Sequence, residues 1–219
     1  MGRGLKENGL SVVLFTLFLA FLIGQCVMGH REYNSERQEH GQPAVSYAGY
    51  LASSYFAEAT FENWESEFLQ MGVYVLFTVF LFQKGSSESK RVGVREAVDA
   101  EPKNPPGEDA PWPVRKGGWV LKLYKHSLSL AFLLLFLVSF ALHAVGGARE
   151  YNEEQLQHGG EMVSMLGYIT TARFWFESFQ NWQSEFLAIG SMVALSVFLR
   201  QQGSPESKPV DAPHSETGG

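Results

Sequence analysis

Four runs of apolar residues interrupt an otherwise polar chain, at positions 10–28, 68–82, 128–145 and 186–199, and none contains Asp, Glu, Lys or Arg. A helix needs roughly 20 apolar residues, with a range of about 17–25, to cross the hydrocarbon core of a bilayer. The first and third runs meet this outright. The second and fourth are shorter, but helical lead-ins starting at Thr60 and Ser178, both good N-cap residue types, lengthen them. Positions 60–83 make 24 residues, or about 36 Å of helix at 1.5 Å per residue. Trp64 and Trp182 then fall near a membrane interface, where indoles are favoured. The pattern predicts transmembrane helices over about 8–29, 60–83, 126–147 and 178–201.

The second half of the chain repeats the first at an offset of 118 residues. Arg31-Glu32-Tyr33-Asn34 recurs as Arg149-Glu150-Tyr151-Asn152. The match runs without a gap through His40-Gly41 and His158-Gly159, then Gly49-Tyr50 and Gly167-Tyr168. It continues through Asn63-Trp64 and Asn181-Trp182, and ends at Glu88-Ser89-Lys90 and Glu206-Ser207-Lys208. Half of the 60 aligned positions are identical, which chance does not produce. Each unit reads helix, polar segment, helix, so two crossings bring the chain back to its starting side. The repeats are therefore parallel, related by an axis along the membrane normal. The expected fold is an all-α membrane protein: four transmembrane helices from two parallel tandem repeats of a helical hairpin with an interfacial helix. Residues 1–90 form repeat unit 1 and 119–208 repeat unit 2, separated by a disordered cytoplasmic linker at 91–118 and followed by a disordered tail at 209–219.

Arg3 and Lys6 ahead of an apolar run also describe a signal peptide. Gln25, however, stands where a cleavage site wants a small residue, and the third run copies the first in mid-chain. A retained membrane helix is the expectation. The net charge of -6 matters less than its distribution. Positions 83–127 carry nine Lys and Arg, against two in each polar segment between paired helices. The positive-inside rule puts this linker, and with it both termini, in the cytoplasm. Pro, Glu, Gly and Lys around 101–113 cannot bury a core. Beyond them Trp112, Trp119 and Tyr124 alternate with Arg115, Lys116, Lys122 and Lys125, a pattern suited to the membrane surface with Trp119 as an anchor. A single cysteine, Cys26, rules out an intramolecular disulfide.

Three groups of residues invite chemistry. Glu36 and His40, and again Glu154 and His158, sit four apart on one helical face; carboxylate and imidazole together bind transition metals. The same residues also read as helix ends, with histidine in the last turn and Gly41 or Gly159 beyond it. Asn63 with Glu67, and Asn181 with Glu185, lie in the outer parts of the second and fourth helices. Polar groups at membrane depth point to function, and the pseudo-two-fold would join both pairs in a polar vestibule; at headgroup level they are simply solvated. Gln25 and His143 occupy equivalent positions and suit hydrogen bonds between helices. The aromatic stretch 46–61 and its copy suit an interfacial helix on the outer leaflet.

Through Arg-Glu-Tyr-Asn-x-Glu, His-Gly and Phe-x-Asn-Trp-x-Ser-Glu-Phe-Leu, present in both copies, the chain resembles a family of bacterial integral membrane proteins of about this length with no assigned activity. The resemblance covers nearly the whole chain and implies residence in a bacterial inner membrane, without implying a mechanism. No phosphate-binding glycine loop, serine–histidine motif or CxxC pair is present. The expected role is non-enzymatic, organising lipid or a partner through the acidic outer segments and aromatic interfacial helices. No cofactor and no nucleic-acid partner is expected; the bilayer is the expected partner, with a homodimer as one arrangement. The alternative is a small-solute or ion pathway lined by Asn63, Glu67, Asn181 and Glu185. A metal-dependent membrane enzyme at Glu36, His40, Glu154 and His158 ranks last.

Overall fold

A computed structural model describes residues 7–218, so Arg3 and Lys6 lie outside the described residues. Among the described residues there are eight α-helices and no strand. In chain order they are α1 (Gly9–Glu39), α2 (Tyr47–Leu51), α3 (Ser54–Phe77), α4 (Trp112–Lys116), α5 (Gly118–Lys125), α6 (Ser127–His158), α7 (Met165–Ile169) and α8 (Ala172–Leu195), with a 3-10 turn at Ala97–Asp99. Two of them, α1 and α6, are long and apolar enough to cross a membrane. The 24-residue α3 and α8 are long enough at about 36 Å. They fall short in apolarity because Glu58, Glu62, Glu65 and Glu67 lie on α3, and Arg173, Glu177 and Glu185 on α8.

The boundaries of these two helices differ from expectation at both ends. Thr60 and Ser178 are not caps but interior residues. The caps sit one residue before each helix, where Ser53 Oγ accepts from the Phe56 N–H at 3.2 Å and Thr171 Oγ1 from the Phe174 N–H at 3.3 Å. Nothing between these caps and the expected starts breaks a helix, so the ladder begins at the first satisfied donor. At the far end the helices stop at Phe77 and Leu195, short of 83 and 201. There the Thr78 and Ser196 hydroxyls donate to the carbonyls of Val75 (3.0 Å) and Val193 (3.1 Å), a local competition that loosens helical turns.

The chain divides into two compact units. The first takes in residues up to Thr60 together with Leu142–Tyr168. Here the twin motifs build twin turns. Asn34 clamps the backbone of Val45, donating to its carbonyl at 3.1 Å and accepting from its N–H at 2.7 Å. Asn152 does the same to Val163 at 2.9 and 2.8 Å. Gly41 and Gly159 leave α1 and α6 in the left-handed region, at φ +69° and +72°, where a Cβ would be strained. Tyr33 packs on Tyr50, and Tyr151 on Tyr168, each pair with ring centroids 5.8 Å apart. Tyr50 and Tyr168 are buried, and their hydroxyl ends lie over Gly29 and Gly147, where no side chain would fit.

The second unit takes in Phe61–Ala141 and the chain from Ile169 onward. Around the buried Phe174 a chain of aromatic contacts joins Phe140 to Phe174 at 5.2 Å and Trp182 to Phe136, Trp175 and the outward-facing Phe179. Beyond α3 and α8 the repeated Gly-Ser-x-Glu-Ser-Lys segments fold alike. Ser89 Oγ accepts from the Gln83 N–H and Ser207 Oγ from the Gln201 N–H, both at 2.9 Å. The linker carries ordered contacts: Lys90 bonds Asp99 at 2.7 Å, and Lys125 pairs with Glu101. The tail is likewise pinned. Lys208 is 1% exposed, and its ammonium donates to the carbonyls of Pro213, His214 and Glu216 at 3.1, 3.2 and 2.8 Å. Farther along, the Gly85 N–H bonds Thr217 Oγ1 at 2.8 Å and the Gly218 N–H bonds the Ser86 carbonyl at 3.0 Å.

Candidate functional site

The repeated Asn/Glu pairs lie in the second unit. Asn63 and Glu67 are exposed, while Asn181 and Glu185 are half-buried. The Glu67 carboxylate acts on Glu185 as a like charge. Beside them Ser66 Oγ donates to the Asn63 backbone carbonyl at 2.7 Å and Ser184 Oγ to the Asn181 backbone carbonyl at 2.8 Å, while the Asn181 side chain donates through Nδ2 to the Glu177 carbonyl at 3.2 Å. Of the indoles, Trp119 is 72% exposed. Trp64 stacks edge-on with Phe61 at 5.4 Å. Trp182 is half-buried and donates its indole N–H to Glu65 at 3.0 Å.

Glu36, His40, Glu154 and His158 meet in the first unit, lining one open cleft of about 430 Å³ with Tyr33 and Arg37. Each histidine also closes its own helix. His40 Nδ1 lies 2.8 Å from the Glu36 carbonyl, and His158 Nδ1 2.8 Å from that of Glu154. A carbonyl only accepts, so Nδ1 carries the proton and Nε2 keeps the lone pair in the neutral ring. Both histidines thus bond the last turn of their own helices, and among the described residues no three ligand atoms of Glu36, His40, Glu154 and His158 lie within 4.8 Å of one another.

Tyr55, at the start of α3 in the same unit, packs on Tyr33 with ring centroids 5.0 Å apart. The Ser54 hydroxyl beside it lies 2.7 Å from a Glu150 carboxylate oxygen and 3.1 Å from one of Glu153, which share its single proton. Gln25 Nε2 donates to Thr60 Oγ1 at 3.3 Å, an interhelical bond of the kind its position suggested. Its counterpart His143 is fully buried.

The buried carboxylates are others, on α3: Glu58, 8% exposed, and Glu65, fully buried. Ser54, Glu58, Glu62 and Glu65 follow one another at helical spacing along a single face. In the first unit Glu58 accepts from the Tyr168 hydroxyl at 3.3 Å. In the second, Glu65 accepts from Trp182, and Glu62 and Glu177 bring carboxylate oxygens within 4.8 Å, with Arg173 Nε 2.8 Å from Glu177. The residues that matched between the copies led away from this face. Glu58, Glu62 and Glu65 correspond to Phe176, Gln180 and Gln183, while Arg173 and Glu177 correspond to Tyr55 and Ala59. The signal was present as charge differences between copies at helical spacing.

The chain belongs to a family described as a domain of unknown function, DUF6766, whose model matches residues 1–219. No curated protein and no solved structure matches it.

Proposed function

We propose that this DUF6766 protein is a four-span integral membrane protein that organises lipid rather than catalysing a reaction. Its two hairpins enter a bacterial inner membrane in the same direction and leave both termini in the cytoplasm. The observation that carries the reading is an inverted pattern of burial. Among the described residues, Glu58, Thr60, Glu65, Ser66, Gln70, Ser139, His143 and Ser178 are buried, while Phe15, Phe21, Leu134, Phe176, Phe179 and Leu187 are more than half exposed. A soluble protein does not turn its polar groups inward and its large apolar side chains outward on this scale; a chain solvated by hydrocarbon does. The 18-residue apolar window of α1 has none of its residues buried, so the bilayer or a second copy must cover it. The same inversion supports α3 and α8 as spans despite their charges, because Glu58 and Glu65 face protein and not lipid.

Reporters that fluoresce only in the cytoplasm, fused to either end or inserted at 104–108, test the topology. All three are expected to report the same side. Ends on opposite sides of the membrane would overturn it.

A second reading, a cation pathway passing Asn63, Glu67, Asn181 and Glu185, is favoured by the like charge of Glu67 acting on Glu185 and by the burial of Glu65. Proteoliposome flux distinguishes it: the pathway requires flux that falls in Glu65→Gln and in the Glu67→Gln/Glu185→Gln pair, and equal flux in all three removes it.

A further inference from the structure

Within the second unit, α3 and the first part of α6 leave a groove of about 330 Å³ between them. Phe68, Gly72 and Leu76 form one wall, and Leu130, Leu133 and Phe136 the other. Its polar side chains, His126 and Ser129, stand together at one end. From His126 to Phe136 the helix rises about 15 Å at 1.5 Å per residue. That is half of a hydrocarbon core roughly 30 Å thick, the depth of one leaflet. Gly72 makes the floor: a Cβ there would lie 3.2 Å from the Phe132 Cβ, so the two helices touch beneath the groove. The equivalent Gly190 has nothing within 4 Å, so this packing is not repeated at the matching place in α8.

The polar end of the groove meets the basic helix α5. Lys122 lies one helical turn before His126, Lys125 is held by Glu101, and Trp119 and Tyr124 are exposed on the same short helix. Cations and amphipathic rings at the end of a leaflet-deep apolar groove match a lipid with a negative head and an apolar tail. We infer that the groove seats one acyl chain of an anionic phospholipid, with the phosphate held by His126 and Lys122. The inference rests on the membrane reading above and names the lipid class that reading leaves open.

The test offers the full chain, purified in detergent, an equimolar mixture of phosphatidylglycerol and phosphatidylethanolamine and measures retained lipid by native mass spectrometry. The wild type is expected to keep one lipid and to favour phosphatidylglycerol about tenfold. Leu133→Trp, which fills the groove from its rim, is expected to keep neither. Lys122→Ala/His126→Ala is expected to keep one lipid without preference, which does not depend on the first variant folding well. Lys84→Ala, an exposed linker control, is expected to behave as wild type. Equal retention of both lipids by the wild type, or unchanged retention in Leu133→Trp, overturns the groove assignment. Since membrane insertion is scored separately by the terminal reporters, failure of the groove leaves the four-span reading standing.

Discussion

Gly146 offers the sharpest test of how the first unit packs. It lies on α6 against the start of α3, and a Cβ there would stand 2.9 Å from the Glu58 nitrogen and 3.3 Å from the Ala57 carbonyl carbon. These are backbone atoms, so no rotamer change relieves the contact and the helices must separate. Overpacking of this kind costs about 1–3 kcal/mol. Against it stands the gain of about 1 kcal/mol when alanine replaces glycine inside a helix. Gly24 on α1 and Gly190 on α8 provide the control, since a Cβ at either meets nothing within 4 Å. All three substitutions to alanine share the propensity gain, so it cancels between them and leaves the packing cost alone. For a chain of this size each 1 kcal/mol moves the melting temperature by about 2–4 °C, so Gly146→Ala should melt about 2–12 °C below Gly24→Ala and Gly190→Ala. Circular dichroism melts in one detergent compare the three. If Gly146→Ala melts with the two controls or above them, α6 and α3 do not touch backbone to backbone and the packing described for the first unit is wrong.

Further outcomes follow from single contacts. Trp182→Phe removes the donor that reaches the buried Glu65; unfolding in mixed micelles should show a loss of about 1–3 kcal/mol, and no loss would mean that the bond contributes nothing. Lys90 and the backbone of Glu96 hold the Asp99 carboxyl below its usual range. A depressed carboxylate stabilises above its unfolded pKa of about 3.9 and loses that contribution as pH falls, so cleavage of the 91–99 segment by an acid protease should rise below about pH 4. Asp99→Asn should abolish that pH dependence.

Much of the helical layout was legible because hydrocarbon-length apolar runs and an ungapped repeat leave few alternatives. The repeated residues then proved to be architecture: Asn34 and Asn152 clamp a turn, Gly29 and Gly147 admit a tyrosine, and His40 and His158 close a helix. A repeat marks what both copies must share, and here that is the geometry of a turn. The buried face of α3 escaped notice for the same reason, because Glu58, Glu62 and Glu65 have no acidic counterparts in the second copy. Thr60 and Ser178 are good capping types that stand in the middle of a helix, and side-chain type alone does not tell a cap from an interior residue. For the tail, expected to be disordered over 209–219, a lysine that satisfies three carbonyls is invisible to sequence pattern.

That lysine makes the last stretch of described chain a knot tied in its own backbone. With Lys208 shielded from solvent, its amine becomes available to an acylating reagent only when the knot has already slackened. Once acylated, it could no longer gather the oxygens of Pro213, His214 and Glu216, and the segment resting on Gly85 and Ser86 would lose its fastening. A protease trimming back beyond Glu216 would reach the same end from the other direction. The amine's reactivity therefore reads out, without any label, whether this end of the protein is fastened or loose.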